Sequence, residues 1–487
     1  MIEPISLQAK KGEVSSARLF WPILIAIVFG GGIAIAVGNY GVLALLAVFG
    51  LIALFVTLTN PDVGLFLFLL AIYTNLSAVL ITNYGFPSTA RLMVIVMGVV
   101  IFIRYFLFRD EYRGWLFPFL LLGLYAILGT LSLTYASDYE LASITLVDYL
   151  KDAVIGIIII LLAQRPRSLK IAVWAILSAG LFLSVISVFQ QLTGTFGNQY
   201  WGFARISPNS IYGNRLSGPI GDPNFFAQIM VVLVPIAIDR AWNERHAILK
   251  VLAALTFITT LLTVIYTYSR GGFIALIIAF IVMAVLRPAR FPYALLGLVL
   301  FLFAFQFIPA GYKDRISSLV NFLPNSRTGG FVDSSVQGRT NENLVAWNMF
   351  RDYPILGVGV GNYNSYYQVY SRKLGLDPRT ENRSAHNLYL EIAAERGVFG
   401  LIVFGAITIT TLQQAFRASA KFKQAGRKDF SDLAEVMGVA LITYLVTAIF
   451  LHDAYPRFFW VLVGICWALP QSAQYYSLRS KSKVFPI

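Results

Sequence analysis

Long apolar runs recur along the whole chain and limit the folds that it can adopt. Each run has about 18 or more residues with few charges, which is enough for an α-helix to cross a bilayer. The composition agrees, since 57% of the 487 residues are hydrophobic and only 13% are charged. A transmembrane β-barrel would instead show segments of roughly ten alternating residues. We therefore expect an all-α polytopic membrane protein.

The apolar runs predict about 12–14 transmembrane helices. The candidate spans lie near 19–38, 41–58, 62–82, 90–108, 114–135, 149–164, 169–192, 223–239, 248–268, 271–287, 291–309, 398–415, 433–452 and 457–473. They divide the chain into a transmembrane bundle over 1–309, a long external loop with short helices over 310–397, and a last part over 398–487. That last part holds three spans and a C-terminus that we expect in the cytoplasm.

Basic residues are distributed unevenly between the two sides of these spans. With an even number of spans and the N-terminus inside, 22 Lys and Arg residues lie at the inner ends and six lie in the short outer loops. Loops rich in Lys and Arg stay in the cytoplasm. We therefore expect both termini inside and the loop 310–397 outside. The same rule accounts for the net charge of +14, so we expect the lipid bilayer as a partner and no nucleic acid.

Three predicted helices begin on the outer side, each beside an arginine or a histidine. Asp222 followed by proline predicts a helix start, with Arg215 just before it. Arg270 lies in a tight turn before the span near 271–287. Ser384 is the expected N-cap of the third helix, which runs inward from His386.

Helix N-termini and arginines together favour an anionic ligand. A helix N-terminus presents unpaired N–H groups and partial positive charge, so it binds phosphate readily. The arginine fork adds paired donors that suit phosphate oxygens. Each residue also has a structural alternative. Arg215 and Arg270 could be snorkelling residues at the membrane boundary, and His386 could be a capping histidine. Taken together on one side, the residues predict an anion site at the outer membrane face.

The external segment "GRTNENLVAWNMFRDYPILGVGVGNYN" adds further candidates. It predicts a helix from Thr340, preceded by Arg339, and then a turn-rich glycine loop that lacks the strand–turn–helix context of a dinucleotide site. Beyond it, Glu391 and Glu395 share one helical face and either support the site or pair with arginines of the loop. The sequence contains no phosphate-binding loop of the Walker type and no His/Cys cluster, so we expect neither a cofactor nor a metal.

The segments "RLSGPIGDPNFFA", "YSRGG" and "SAHNLYLEIAAERGVFGL" resemble the O-antigen ligase and O-antigen polymerase superfamily, over about residues 200–415. The resemblance implies a bundle like that of the C-type membrane glycosyltransferases. It also implies transfer of a glycan from undecaprenyl diphosphate to a glycan or glycolipid acceptor, outside the bacterial inner membrane and without a metal. By motif, His386 would be catalytic, and Arg215, Arg270 and Arg339 would bind the substrate. His452 matches no motif.

The residues leave several functions open. Ligase and polymerase differ in their acceptor, which the sequence does not identify. A small-anion transporter, such as a bicarbonate permease, should carry ionisable groups or broken helices near the bilayer midplane, whereas the charges here gather at the outer ends of the spans. A non-catalytic scaffold of polysaccharide assembly would not need the arginines.

The charge asymmetry predicts the topology of the chain. Alkaline phosphatase is active only outside the cytoplasm, so a fusion near residue 330 should be active and one near residue 424 inactive. The measurement is phosphatase activity in whole cells, normalised to the amount of each fusion protein. The reverse pattern would place the candidate site on the cytoplasmic side and contradict the assignment.

Overall fold

The computed structural model describes residues 42–209, 213–287, 334–376, 383–452 and 456–484. The spans predicted near 19–38 and 291–309 lie outside the described residues. The described residues from Pro61 onward form one compact unit, and those before Pro61 belong to a second. Helix α1, Val42–Thr59, belongs to the second unit.

The first part of the main unit consists of helices at the predicted spans. These are α2 Pro61–Tyr73, α3 Leu76–Tyr84, α4 Thr89–Leu107, α5 Leu116–Ser132, α6 Tyr139–Leu162 and α7 Pro166–Thr193. Helices α2 and α3 together correspond to the span near 62–82, which is bent by 56°. The bend is at Asn75, whose φ of 56° is left-handed, a conformation that asparagine tolerates better than most residues.

Helix α6 begins ten residues before the span that the sequence predicts near 149–164. Asp138 caps this earlier start, because its side chain accepts a hydrogen bond from the backbone N–H of Leu141. The first turns of α6 are too polar to be recognised as part of a span. They include Glu140 and Asp148, which therefore lie within the helix and not before it.

A two-stranded hairpin precedes the third group of elements. Strands β1, Arg205–Asn209, and β2, Gly213–Gly218, are antiparallel, with Ser207 opposite Arg215. The sequence analysis does not predict these strands, because five or six residues between two spans carry too weak an alternation to be distinguished from a loop.

The remaining helices complete the bundle. They are α8 Pro223–Val231, α9 Leu233–Asn243, α10 Ala247–Tyr266, α11 Arg270–Leu286, α12 Ser334–Asp352, α13 Tyr363–Lys373, α14 Leu388–Gln424, α15 Lys428–Thr447 and α16 Arg457–Val484. Helices α8 and α9 form one span, interrupted at Val232, where Pro235 has no backbone N–H to bond to the preceding turn. The predicted start of α12 at Thr340 is wrong, since the helix begins at Ser334.

The expected class, an all-α polytopic membrane protein, is confirmed. Among the described residues, six helices are long and apolar enough to cross a membrane, or seven if the bent pair is one span. The core contains many aromatic side chains. Trp460 of α16 packs against Tyr149 of α6 with their rings 5.5 Å apart, and Phe459 stacks on Phe404 of α14.

The glycine loop is packed against a break in α14. Gly397 has φ 61° and ψ −159°, which interrupts the helix. The carbonyls of Ala394 and Glu395, just before the break, accept hydrogen bonds from the N–H groups of Val358 and Gly359 at 2.9 and 3.0 Å. A Cβ on Gly397 would lie 2.3 Å from the backbone of Ile355. A glycine is therefore required here by both the backbone conformation and the close approach.

A buried ion-pair cluster joins the opposite ends of several helices. The Asp239 carboxylate, near the end of α9, contacts Arg240 and also Arg287, which follows α11, at 2.7 Å. Asn243 bridges from Asp239 to Asp432 of α15 at 2.8 and 3.0 Å. Helices α9 and α11 therefore end beside the start of α15. This agrees with the predicted parallel direction of the spans near 223–239 and 271–287.

Candidate functional site

Arg215 lies on β2 and connects the hairpin to two helix ends. It is buried; its Nε donates to the carbonyl of Thr267 at 2.9 Å, and its Nη2 donates to Oδ1 of Asn224 at 3.1 Å. Asn224 is in the first turn of α8, which Asp222 caps by accepting from the N–H groups of Asn224 and Phe225. The predicted Asp222 N-cap is thus confirmed, and Arg215 lies beside this helix N-terminus.

Arg270 is the first residue of α11, and two buried glycines follow it. The capping hydroxyl is that of Ser269, which accepts from the N–H of Gly272. A Cβ on Gly272 would lie 3.0 Å from Ala227 of α8, and one on Gly271 would lie 3.0 Å from the ring of Phe450. The glycines therefore allow α11 to start close beside α8. Because Thr267 is the acceptor for Arg215, the two arginines lie at the same end of the bundle.

His386 precedes the cap of α14. The predicted Ser384 N-cap is wrong, because Asn387 caps the helix by accepting from the N–H groups of Tyr389 and Leu390. His386 has φ 48°, a left-handed conformation that is uncommon for a residue with a side chain. This turn projects the imidazole away from the helix, toward α12.

The imidazole Nδ1 of His386 lies between two acceptors. It is 2.9 Å from Oε2 of Glu342 and 3.1 Å from the carbonyl oxygen of Ser384. A backbone carbonyl and an ionised carboxylate can accept hydrogen bonds but cannot donate them. We therefore assign the hydrogen of the neutral ring to Nδ1. In the neutral ring, Nε2 then carries the lone pair and is the basic nitrogen.

Glu342 of α12 is the acidic partner of this histidine. Its side chain is only 1% exposed, and Arg383 donates to its Oε1 at 2.9 Å. Burial alone would raise the pKa of the Glu342 carboxyl, but the contacts with His386 and Arg383 outweigh burial and lower it. The carboxylate is therefore ionised at neutral pH. Nothing in the sequence marks Glu342, because its partner is 44 residues away in the chain.

His452 lies against the other side of His386. The centroids of the two imidazole rings are 4.6 Å apart, and the ring planes meet at 65°. The ring of Phe225 also packs on His452, with the centroids 5.4 Å apart. Burial, with smaller contributions from His386 and Arg339, lowers the pKa of His452 to about 4, against the opposing effect of Asp222 and Glu342. His452 is thus a neutral member of the site, which the sequence analysis left unassigned.

These contacts bring most of the predicted site residues into one region. Arg215 contacts Asn224, and the next residue, Phe225, packs its ring on His452. His452 in turn packs on His386. Arg339 lies one turn before Glu342 on α12, close enough to influence the pKa of His452. The region therefore combines arginines, a histidine with a basic nitrogen, and the N-termini of α8 and α11.

Glu391 and Glu395 face the glycine loop and α13. Oε1 of Glu395 accepts a hydrogen bond from the backbone N–H of Tyr363, the first residue of α13, at 3.1 Å. Burial raises the pKa of the Tyr363 phenol, and the nearby carboxylates, Glu391 and Glu395 among them, raise it further. The carboxylate in contact with the His386 ring is instead that of Glu342. Glu395 thus supports the start of α13, which follows the glycine loop.

The described residues contain no group of three or more His, Cys, Asp or Glu side chains that could hold a metal ion. The acidic groups nearest to His386 are already engaged: Asp222 caps α8, and Glu342 contacts His386 and Arg383. The concentrated charge in this region is cationic, which suits an anionic ligand.

No curated protein matches the chain. A family model does match, over residues 255–405, and its description is O-antigen ligase. The matched segment contains Arg270, Arg339, His386, Glu391 and Glu395, whereas Arg215 lies before it. Residues 255–405 are therefore similar to the O-antigen ligase family, in agreement with the resemblance of the motifs.

Proposed function

We propose that the protein is a membrane glycosyltransferase of polysaccharide assembly. It transfers a glycan from undecaprenyl diphosphate to a sugar hydroxyl of a glycan or glycolipid acceptor. The reaction takes place on the external face of the bacterial inner membrane. The observation that carries the proposal is the contact of His386 with Glu342, which leaves Nε2 basic in a region that also holds Arg215 and Arg339.

The donor diphosphate is the anion that this region suits. Arg215 and Arg270 lie at the N-termini of α8 and α11, where arginine donors and the helix dipoles both favour phosphate oxygens. Arg339 adds a third cation on α12. The contacts of Arg215 with Thr267 and Asn224 hold its guanidinium in place before any ligand arrives. Such preorganised donors stabilise charge that develops in the transition state without reorganising.

The chemical step is a direct displacement. The acceptor hydroxyl attacks the anomeric carbon of the donor sugar, and the bond from that carbon to the phosphate oxygen breaks. The acceptor proton passes to Nε2 of His386, and the leaving electron pair remains on undecaprenyl diphosphate. Glu342 stabilises the protonated imidazole and holds the hydrogen on Nδ1. Because arginines neutralise the leaving diphosphate, we propose that no metal is required.

The alternatives place different demands on the same residues. A small-anion transporter would use the arginines but would have no need for a carboxylate that sets the tautomer of His386. A scaffold would need neither group. The Glu342–His386 contact therefore favours an enzyme, because it prepares one nitrogen to accept a proton.

The assigned roles give a prediction that separates the binding groups from the base. Arg215→Ala or Arg270→Ala removes charge-assisted hydrogen bonds worth about 1.5–3 kcal/mol each, so donor affinity should fall about tenfold or more. His386→Ala should leave donor affinity nearly unchanged and reduce turnover by about 10²–10⁴-fold. Donor affinity and initial rate are measured for each variant in nanodiscs between about pH 6 and 9.

Arg205→Ala is the matched control, since Arg205 lies on the other strand of the hairpin and contacts Asn83. It should behave like the wild type. Arg→Lys at 215 or 270 keeps the charge but not the paired donors and should restore only part of the affinity. If His386→Ala abolishes donor binding while the arginine variants turn over normally, the assigned roles are wrong.

Another prediction concerns Glu342 as a positioning residue. Glu342→Gln removes the charge that stabilises the protonated ring, so turnover should fall about tenfold or more, or about 1.4 kcal/mol, with donor affinity unchanged. Glu342→Asp keeps the charge and should recover part of the rate, again with donor affinity unchanged. An equal loss of turnover in Glu342→Asp and Glu342→Gln would indicate a purely structural role.

A further inference from the structure

A cavity of about 630 Å³ lies among α3, α4, α6 and the start of α16, apart from the cationic site. Its lining does not include Arg215, Arg270, Arg339 or His386. The volume is within the range of small-molecule pockets, about 300–1,000 Å³. The cavity is therefore large enough to hold a sugar headgroup together with part of a lipid chain.

One side of the cavity is strongly charged. Asp148, Lys151 and Asp152 occupy positions i, i+3 and i+4 of α6, so they share one helical face, and all three line the cavity. Lys151 lies 2.7 Å from Asp148. Arg91, at the start of α4, and Arg457, the first residue of α16, bring two more cations. Five ionisable side chains therefore line one cavity between helices, and convergent polar groups of this kind mark a candidate binding site.

The opposite side is apolar and open to the bilayer. Ile81 of α3 and Ile95 of α4 line the cavity, with 45% and 62% of their surfaces exposed. Helix α4 is a candidate span of which only 11% is buried inside the protein. A lipid chain can therefore lie along this wall while its polar group reaches the charged side.

One residue that lines the cavity, Arg457, is linked through Asn75 to the segment that follows β2. Arg457 donates to Oδ1 of Asn75 at 3.5 Å, and the Asn75 amide donates to the carbonyl of Pro219, just after the strand that carries Arg215. Arg457 also lies five positions after His452, which contacts His386. Arg457 and Asn75 therefore lie between the cavity and the backbone that follows the strand of Arg215.

We propose that this cavity binds the acceptor of the transfer reaction, as a glycolipid with an anionic headgroup; this assignment rests on the proposed function. Transfer requires two substrates at once, and the cationic site takes the donor diphosphate. The cavity offers three cations against two carboxylates for an anionic headgroup with sugar hydroxyls, and an apolar wall for the lipid. The headgroup lies in the charged part, and the chain extends past Ile81 and Ile95 into the bilayer.

The test uses the protein in phosphatidylglycerol nanodiscs and a photoreactive probe. The probe is N-acetylglucosamine linked to farnesyl phosphate, with a diazirine on the sugar. Labelled peptides are mapped by mass spectrometry. We expect labelling of peptides from α3, α4 and α6, reduced about tenfold by Ile95→Trp and by Arg91→Glu. Both side chains are exposed, so these variants should fold. Leu92→Trp is the matched control, since Leu92 lies about one turn before Ile95 on α4 and is 48% exposed but does not line the cavity.

A competition experiment and a comparison of variants distinguish a glycolipid site from the other possible results. An excess of lipid-free N-acetylglucosamine 1-phosphate should not compete; full competition would show a site for a free sugar phosphate and overturn the assignment to a glycolipid. Equal labelling in Ile95→Trp and Leu92→Trp, or labelling confined to peptides around Arg215 and His386, would also overturn it. Because labelling needs no turnover, this result is independent of whether His386→Ala loses transfer activity.

Discussion

The break in α14 at Gly397 is the constraint on which the candidate site depends. It frees the carbonyls of Ala394 and Glu395, which accept hydrogen bonds from Val358 and Gly359 of the glycine loop. The loop follows α12, and the segment of α14 before the break follows His386. The hydrogen bonds at the break therefore hold the loop that follows α12 against the segment of α14 that follows His386. A side chain at Gly397 would collide with the backbone of Ile355, so the packing permits no larger residue.

The ionisable groups at the membrane boundary are tolerated because they are paired. Glu342 is almost fully buried, but it contacts both His386 and Arg383. The far end of the bundle shows the same arrangement, where Asp239 contacts Arg240 and Arg287. Removing one partner of a buried pair costs about 3–5 kcal/mol, because the remaining charge is left without compensation. The pairs therefore keep each end of the bundle in one arrangement, and at the end that holds His386 they also favour one tautomer of its ring.

The sequence predicts those parts of the fold that local patterns determine. Apolar runs predict the spans, and Asp222 followed by proline predicts the start of α8. Contacts between distant segments are not visible in these patterns. Glu342 is identified only when α12 and the start of α14 pack together, and His452 only when its ring is seen against His386 and Phe225. The Ser384 cap is wrong because Asn387, three residues on, makes the capping hydrogen bonds once His386 adopts its left-handed turn.

Transfer of a glycan from a lipid diphosphate, the proposed activity, is tested most directly by the ratio of its two products. Purified protein in proteoliposomes is given an undecaprenyl-diphosphate-linked glycan and an acceptor, and both the glycan transferred and the undecaprenyl diphosphate released are quantified. We predict one undecaprenyl diphosphate for each glycan transferred, in the presence of chelator, and both products formed about 10²–10⁴-fold more slowly with His386→Ala. Bicarbonate flux through the wild-type protein without any release of undecaprenyl diphosphate would contradict this prediction.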